Sequence, residues 1–343
     1  MKIIPVFVPH EGCPHDCIFC NQRTITGNES PMNPFKMRAL VETCLAGMHD
    51  GISSGNIVIA FYGGSFTGIK HSLQAEYLGI ASEYLSKGKI SSIRLSTRPD
   101  YISEEIVSFL RKMNVGTVEI GAQSMDDEVL RLSGRGHDSA AVVSAARIIS
   151  QSGIELGIQT MMGLPGSTPE KDTATAAAVA ALAPSFVRIY PTLVVEGSKL
   201  ADEYKAGRYK PYPLEQAVSL AASLLEIYSE AGIKVIRVGL QPTDDFNISH
   251  GIIAGPFHPS FRQLAESELF FRRISEAIIK SGLQGSQYIE IKVHPPMLST
   301  AVGQKRSNIF RIKKKFGIQN VIILPDKSMT GRDEFRAEAA GRA

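Results

Sequence analysis

The sequence is short of cysteine, of net charge and of long apolar runs, and each shortage excludes a class of protein. Four cysteines among 343 residues, three of them clustered, do not make the framework of a disulfide-rich secreted domain, so a reducing cytoplasm fits better. With 37 Lys and Arg against 34 Asp and Glu, the net charge of +3 favours no partner of one charge sign. A nucleic-acid surface would have to be a local patch.

Membrane association is also not expected. No apolar run approaches the roughly 20 residues that a membrane-spanning helix needs, and the N-terminal segment has no cleavage-site pattern of a signal peptide. The length is sufficient for one large core and a small additional unit.

The first two-thirds of the chain alternates short Val- and Ile-rich runs with helical patterns. This alternation predicts βαβ units and a parallel sheet. We expect strands near 3–9, 56–61, 92–96, 117–120, 155–161, 186–189 and 234–238, and helices at 34–49, 71–86, 103–113, 138–152, 169–182 and 214–231.

Polar or glycine-rich segments follow nearly every expected strand. They read HEGCPHDC, YGGSFTG, STRPD, GAQS, QTMMGLPG and YPTL. Because the carboxyl ends of parallel strands meet at one edge of a sheet, these segments predict a shared site there. Six such units do not close an eight-fold barrel, so the fold class is α/β with a partial, open (β/α)6-type barrel.

The composition changes after the barrel region, and we expect four parts. Residues 1–240 form the barrel, 241–285 a connecting loop and a helix packed on the barrel, 286–326 a small α+β unit, and 327–343 a polar tail.

Three cysteines stand in one loop with the spacing C-x3-C-x2-C, at Cys13, Cys17 and Cys20. Thiolates bind soft metals, and a clustered set in a reducing compartment favours metal binding over disulfides. Zinc would need a fourth ligand, which His10 or His15 could supply. A [4Fe–4S] cluster would take the three thiolates and leave one iron without a protein ligand.

This spacing in the first loop after a first strand resembles the radical SAM superfamily. The resemblance implies a [4Fe–4S] cluster on the three cysteines, with S-adenosylmethionine (SAM) bound to the open iron and cleaved to a 5′-deoxyadenosyl radical. YGGSFTG is similar to the glycine-rich motif that meets the methionyl amine, which implies SAM contacts at Gly63, Gly64 and Ser65. Phe19 matches the aromatic position that lies along the adenine.

Beyond the superfamily, residues 3–270 resemble the radical SAM domain of the Elongator catalytic subunit. The resemblance lies in RIYPTLVVEGSKLADEYKAGRYKPYP, and VEIGAQSMDDEVLRLSGRGHD is shared with the oxygen-independent coproporphyrinogen oxidases. By position it implies that SAM's ribose and carboxylate are held by Ser96, Gln123, Arg135 and Gln159, and that Tyr190 and Lys210 face the substrate. Arg98 is either a salt-bridge residue or a substrate contact.

Two features depart from that family. The Elongator subunit has a longer gap between its first two cluster cysteines, and it carries an acetyltransferase domain after the radical domain. The chain ends before such a domain, so the acetyl-dependent modification of tRNA is not transferred to it.

The segment 288–326 reads strand, helix, turn, helix, strand and resembles the core of a KH module, in which a basic GXXG turn grips a nucleic-acid backbone. The glycine expected at the fourth position of the turn is replaced by Arg306. The alternative is a solvated helix face, as most charge runs are. We expect RNA contacts from Gly303, Lys305, Arg306, Arg311, Lys313 and Lys314.

The resulting hypothesis is a cytoplasmic radical SAM enzyme that acts on RNA, with tRNA as the expected substrate and an unidentified electron donor. A second reading keeps the radical chemistry and takes a small metabolite or tetrapyrrole as substrate. A third is an RNA-binding protein whose cluster is structural or redox-sensing.

Overall fold

The fold is given by a computed structural model that describes residues 2–8, 13, 17–21, 32–48, 57–240, 251–331 and 334–339. His10 and His15, the alternative zinc ligands, lie outside the described residues, as does most of the connecting loop at 241–250. None of the described helices is long and apolar enough to cross a membrane.

A seven-stranded parallel sheet forms the first part of the structure. Its strands are β1 (Lys2–Phe7), β2 (Ile57–Tyr62), β3 (Ser92–Thr97), β4 (Val115–Gln123), β5 (Glu155–Met162), β6 (Phe186–Pro191) and β8 (Lys234–Val238), hydrogen-bonded in that order. The expected α/β fold with a partial barrel is therefore confirmed, as a curled half barrel. A two-stranded ribbon, β7 (Val194–Val195) with β9 (Ile252–Ala254), was not expected.

The helices that connect these strands are α1 (Pro34–Ala46), α2 (His71–Ser86), α3 (Glu104–Lys112), α4 (Asp127–Leu132), α5 (Ser139–Ser152), α6 (Pro169–Ala181), α7 (Lys199–Lys205) and α8 (Leu214–Glu230). In most of these helices a polar side chain caps the first turn, which stabilises the start of the helix. The capping residues are Asn33, Ser103, Asp126, Asp138, Thr168 and Ser198. The short helices α4 and α7 were not expected from the sequence.

The chain divides into two compact units. One contains Met1–Pro213 and Ile227–Phe257, and the other contains Leu214–Glu226 and His258–Ala343. We call them the barrel unit and the C-terminal unit. The division does not follow chain order, because the first turns of α8 belong with the C-terminal unit.

The C-terminal unit contains α9 (Phe261–Lys280), β10 (Tyr288–Val293), α10 (Leu298–Val302), α11 (Ser307–Phe316), β11 (Asn320–Pro325) and β12 (Phe335–Ala339). The expected order of strand, helix, turn, helix and strand is present, with β10 and β11 parallel. We expected the α9 segment to pack on the barrel, but its side chains Phe270, Phe271 and Ile274 lie in one core with those of β10 and α11. The amphipathic pattern of α9 shows that the helix has a buried face and does not identify its neighbour.

The expected polar tail also differs from the structure. Strand β12 lies within it and pairs antiparallel with β10. Phe335 and Ala337 pack against the core of the C-terminal unit from alternate positions of the strand. The segment is short and rich in charge, and this composition concealed the strand.

Candidate functional site

The central barrel strands carry three of the eight residues expected to bind SAM, toward their carboxyl ends. Ser96 pairs in register with Glu119, Gly121 pairs with Gln159, and Gln159 pairs with Arg188 across neighbouring strands. Ser96 and Gln159 are partly buried, and Gln123 is buried at the last position of β4. The parallel sheet therefore brings these positions to one edge, as their places in the sequence predicted.

The cysteine loop is fixed by backbone hydrogen bonds to two helix ends. The amide of Ile18, between Cys17 and Cys20, donates to the Ser133 carbonyl at 3.1 Å, and its carbonyl accepts from the Leu200 amide at 2.7 Å. Cys17 is buried, whereas Cys13, Phe19 and Cys20 are partly buried. All three cysteines are free thiols.

Positive charge and a backbone hydrogen bond surround the thiols. Burial and the neighbouring Cys17 raise the pKa of Cys13, while Arg98 and Arg135 and a backbone hydrogen bond from Ser65 act to lower it. The net effect is a raised pKa, so the free Cys13 thiol keeps its proton at neutral pH, and iron, which binds the thiolate, would have to displace that proton. Three thiols in such surroundings fit a [4Fe–4S] cluster with one iron left for SAM.

A single-ion site is not formed by the same residues. No three His, Cys, Asp or Glu side chains among the described residues are grouped closely enough to hold one metal ion. Each thiolate of a cluster binds a different iron, so cluster ligands do not have to converge on one point as the ligands of zinc do.

Arg135 lies against the cysteine loop. Its Nη1 donates to Cys17 Sγ at 3.1 Å, its Nη2 donates to the Gly121 carbonyl at 2.6 Å, and its Nε lies 3.3 Å from His137 Nε2. Burial and the Arg135 charge lower the pKa of His137 to about 4, so this imidazole is neutral at physiological pH and can accept the proton of Nε. The expectation that Arg135 holds SAM's carboxylate remains a prediction, and the side chain already contacts Cys17, one of the three expected cluster ligands.

Arg98 holds the backbone of Arg135 in position. Its guanidinium makes two 2.9 Å hydrogen bonds to the Asp100 carboxylate and a short one to the Arg135 carbonyl. Since Arg98 is only 4% exposed, the structure favours the salt-bridge alternative for this residue.

The glycine-rich motif follows β2 and leads to α2. Gly63 has a φ of +92°, a conformation that L-residues rarely adopt, and a Cβ there would lie 3.3 Å from Phe7. The hydroxyl of Ser65 is buried, 2.8 Å from the Thr97 hydroxyl, and accepts from the Arg98 amide at 3.2 Å. Ser65 therefore holds the motif in place, and any SAM contact expected from it would come from its backbone.

Two amides meet above β4 and β5. Gln159 Nε2 donates to Gln123 Oε1 at 3.3 Å, and Gln123 has a φ of +68°, which directs the end of β4 away from regular strand geometry. A Cβ on Gly121 would lie 2.8 Å from the Gln123 amide nitrogen and 3.5 Å from Arg135 Nη2. Glycine at position 121 is thus what allows both side chains to cross β4.

A buried ion cluster inside the barrel was missed by the sequence analysis. Glu119 is 3% exposed and lies between two arginines: Arg188 Nε is 2.9 Å from Oε2, and Arg94 Nη1 is 3.3 Å from Oε1. The Arg94 contact is an ion pair without hydrogen-bond alignment, since its Nη1 and Nε have no hydrogen-bond partner. Charged residues inside the apolar strands IRLS, TVEIG and FVRIY were the available signal.

Tyrosines extend this cluster toward the strand ends. Arg188 Nη2 donates to the Tyr62 hydroxyl at 3.0 Å, and the guanidinium lies 5.4 Å from the centre of that ring. Tyr190 is two positions further along β6, and burial raises its pKa although Arg188 opposes the change. Tyr190 is therefore a protonated phenol beside a guanidinium, directly after the ion cluster.

Lys210 lies elsewhere in the barrel unit. It lines a cavity of about 470 Å³ with Ile18 and the loop after β5, and Tyr190 does not line this cavity. The two residues expected to face the substrate are thus in different surroundings.

The cations of the C-terminal unit fall into two groups. Arg311 Nη1 is 2.7 Å from Glu268, and its guanidinium lies 3.6 Å from the centre of the Phe271 ring, so it is already engaged by α9. In contrast, Lys305, Arg306, Lys313 and Lys314 form no ion pair with any described residue. Arg306 and Lys313 line a groove of about 310 Å³ beside Phe310, which is 63% exposed.

The turn that carries Lys305 and Arg306 has an unusual backbone. Gly303, Lys305 and Arg306 have φ values of +77°, +51° and +62°, and left-handed geometry in two consecutive non-glycine residues is strained. Asn308 holds the turn through buried hydrogen bonds to the Ser267 and Ala301 carbonyls at 2.9 and 3.1 Å. Arg306 at the fourth position, which weakened the KH resemblance, adopts the backbone conformation typical of glycine.

Comparison with protein-family models gives two matches. Residues 7–177 match the radical SAM superfamily, and residues 184–270 match the radical SAM C-terminal domain. Together they cover the barrel strands from β2 onward, the cysteine loop and the first part of α9.

Named relatives are similar over about two-thirds of the chain. A tRNA uridine(34) acetyltransferase of Methanocaldococcus jannaschii is 28% identical over an alignment of 261 positions that covers 64% of this chain and 48% of the relative. Elongator complex protein 3 of Homo sapiens is 28% identical over 231 residues, which are 66% of this chain and 41% of the relative. The chain spans about half the length of these relatives.

A solved structure agrees in fold. The Elp3 protein of Methanocaldococcus infernus without its N-terminal residues aligns with a TM-score of 0.60 and 22% identity, covering 82% of this chain and 63% of that one. At this identity the likeness shows the fold alone.

Proposed function

Because the chain belongs to the radical SAM superfamily, whose members use a [4Fe–4S] cluster and SAM, we propose that it is an enzyme that cleaves SAM at a cluster held by Cys13, Cys17 and Cys20. The carrying observation is the cysteine loop itself. It presents three free thiols, contacted by Arg135 and by the backbone of Ser65 next to the glycine-rich motif. When bound, the cluster supplies the electron that converts SAM to methionine and a 5′-deoxyadenosyl radical.

The proposed SAM contacts come from the strand ends. Gly63 and Gly64 offer backbone groups to the methionyl end, Gln123 and Gln159 offer amides to the ribose, and Ser96 offers a hydroxyl from β3. Phe19 would contact the adenine, and Arg135, which contacts Cys17, would neutralise charge where the amino acid end of SAM meets the cysteines. The work of these residues is to orient SAM and to exclude water.

The proposed substrate is RNA, with tRNA preferred. The relatives reported above are named for tRNA uridine modification and for the Elongator complex, and none of those names supports the tetrapyrrole alternative. The C-terminal unit adds a physical reason, because Arg306 and Lys313, which form no ion pair among the described residues, line a groove beside the exposed ring of Phe310. We do not extend the acetyl transfer of the relatives to this chain, which spans about half their length.

The proposal is tested by anaerobic reconstitution with iron and sulfide. We expect a brown protein that, once reduced, converts SAM to 5′-deoxyadenosine and methionine. Incubation with cellular tRNA in deuterated buffer should then yield a modified or labelled nucleoside. A protein that takes up one zinc per chain and no cluster would contradict the enzymatic proposal, whereas an intact cluster with bound RNA and no SAM cleavage would favour the structural-cluster alternative.

A further inference from the structure

The cavity beside the cysteine loop is lined by Lys210, which was expected to face the substrate, and has no assigned ligand. It has a volume of about 470 Å³, within the usual range for small-ligand sites. One wall comes from Ile18 and Leu132, one from the loop 163–167 after β5, and one from the segment 203–212 between α7 and α8. Because Ile18 stands between Cys17 and Cys20, a ligand in this cavity would touch the cluster loop.

The walls are fixed by hydrogen bonds that the tyrosine hydroxyls donate. Tyr209 donates to the Gly163 carbonyl at 2.7 Å, and Tyr212 donates to Asp172 Oδ2 at 3.1 Å. The Tyr212 ring lies against Gly163, where a Cβ would be 3.0 Å from the nearest ring atom. The donor proton of each tyrosine is therefore engaged, and what the two side chains retain for a ligand is the aromatic ring and an acceptor oxygen.

Asp172 is the buried support of this arrangement. It is 4% exposed and accepts hydrogen bonds from the Ser167 hydroxyl at 2.6 Å and the Gly163 amide at 2.9 Å, in addition to Tyr212. Asp172 does not itself line the cavity, so its carboxylate supports the walls and is not presented to a ligand.

The rim carries one positive charge without compensation. Arg208 is neutralised by two hydrogen bonds to Glu203 at 2.7 and 2.8 Å. Lys210 is exposed, and none of the described residues forms an ion pair with it. The cavity thus combines fixed aromatic and apolar walls with a single ammonium group at its edge.

We infer that this cavity binds a nucleotide, with its phosphate at Lys210 and its base against the tyrosine rings and Leu132. Bases stack on aromatic side chains whatever their sequence, and an ammonium group binds a phosphate as a point charge. This inference rests on the proposed function, because an RNA substrate is what would bring a nucleotide next to the cysteine loop.

The inference is tested by measuring the affinity of the reconstituted protein for three ligands, by calorimetry or saturation-transfer NMR. The ligands are uridine 5′-monophosphate, uridine and inorganic phosphate. We expect the nucleotide to bind at least about tenfold more tightly than either uridine or phosphate, because it makes the contacts of both. A tenfold difference in affinity corresponds to about 1.4 kcal/mol of binding free energy. Lys210→Met should weaken nucleotide binding about tenfold and leave the affinity for uridine unchanged. Lys205→Met, which changes an exposed lysine outside the cavity, is the matched control.

A second pair of variants tests the aromatic wall. Tyr209→Leu should weaken both the nucleotide and uridine, while Tyr209→Phe keeps the ring and should bind both as the wild type does. Equal binding of nucleotide and uridine, unaffected by Lys210→Met, overturns the phosphate assignment. Phosphate that binds as tightly as the nucleotide overturns the base assignment.

The outcomes remain separable from those of the proposed function. SAM cleavage without RNA reports on the cluster site alone, and nucleotide binding can be present in a protein that does not modify tRNA. Conversely, a Lys210→Met protein could keep both its nucleotide affinity and its tRNA modification. That result would refute the inference and leave the enzyme assignment unchanged.

Discussion

Arg135 donates a hydrogen bond from Nη1 to Sγ of Cys17 at 3.1 Å, and its side chain is buried. Arg98, Asp100 and His137 hold it in this position. A buried cation beside a thiolate ligand favours the more negative, reduced form of a cluster.

The first prediction follows from this contact. Arg135→Gln should lower the reduction potential of the reconstituted cluster by roughly 50 mV, because removal of about 1 kcal/mol of charge stabilisation corresponds to that shift for one electron. A redox titration followed by electron paramagnetic resonance measures it. An unchanged potential together with a weaker affinity for SAM would show instead that the guanidinium turns to SAM's carboxylate.

The second prediction concerns the cysteines. Replacement of Cys13, Cys17 or Cys20 by Ser should each abolish cluster incorporation, because every iron that loses its thiolate loses its protein bond. Cys44→Ser is the matched control, since this fourth free cysteine lies in α1. Iron and sulfide content after anaerobic reconstitution measures the effect. Normal iron content in any of the first three variants would contradict the assignment.

The third prediction concerns the buried ion cluster. Burial raises the pKa of Glu119 while Arg188 and Arg94 oppose that rise, so the carboxylate depends on both arginines. Glu119→Gln should cost about 3–5 kcal/mol of unfolding free energy, because it leaves two guanidinium groups buried without their counter-ion. Urea denaturation measures the loss.

Glu155→Gln provides the control for this variant. Glu155 is exposed at the start of β5 and accepts one hydrogen bond from Thr117 at 2.7 Å. Its replacement should cost no more than about 1 kcal/mol. Similar losses in the two variants would contradict the special role of burial at Glu119.

The fourth prediction concerns RNA binding. The double variant Lys305→Ala with Arg306→Ala should weaken tRNA binding and reduce the slope of log affinity against log salt by about 1.5, the value for two lost phosphate contacts. Arg311→Gln, which removes a cation already paired with Glu268, should leave the slope unchanged. Filter binding at several salt concentrations distinguishes the two. Equal changes of slope in the two variants would support the alternative that the basic segment is a solvated surface.

The fifth prediction is a pH dependence. Burial raises the pKa of Asp172 from 3.8 to about 6 despite three hydrogen bonds to the carboxylate. The folded protein therefore holds the proton more tightly than the unfolded chain, and the stability that this provides is complete below the unfolded pKa and is lost as pH rises through about 6. At about 1.4 kcal/mol per pKa unit, the change is about 3 kcal/mol.

The comparison with Asp172→Asn isolates this contribution. The difference in unfolding free energy between wild type and variant should fall between about pH 4 and pH 6 and stay level above it. A difference that rises over the same range would mean that the hydrogen bonds outweigh burial.

Local patterns were enough to predict much of the barrel. Each strand in a parallel sheet needs a short apolar run, each connection needs a capped helix, and the ends of such strands must share an edge. The C-x3-C-x2-C loop and the glycine-rich motif could be placed for the same reason: both lie in segments of a few residues, where spacing and backbone freedom are fixed by the residues themselves. The same holds for the strand, helix, turn, helix and strand order of the C-terminal unit.

Only the tertiary structure decided which charges are available. Arg306 and Arg311 are five residues apart in one basic run, yet one lines an open groove and the other is paired with Glu268 and stacked on Phe271 from a different helix. Glu119 likewise lies between two arginines that β3 and β6 contribute, and α9 shares its core with β10. The energy of a charge depends on its solvent and its neighbours across the fold, and a pattern along the chain contains neither.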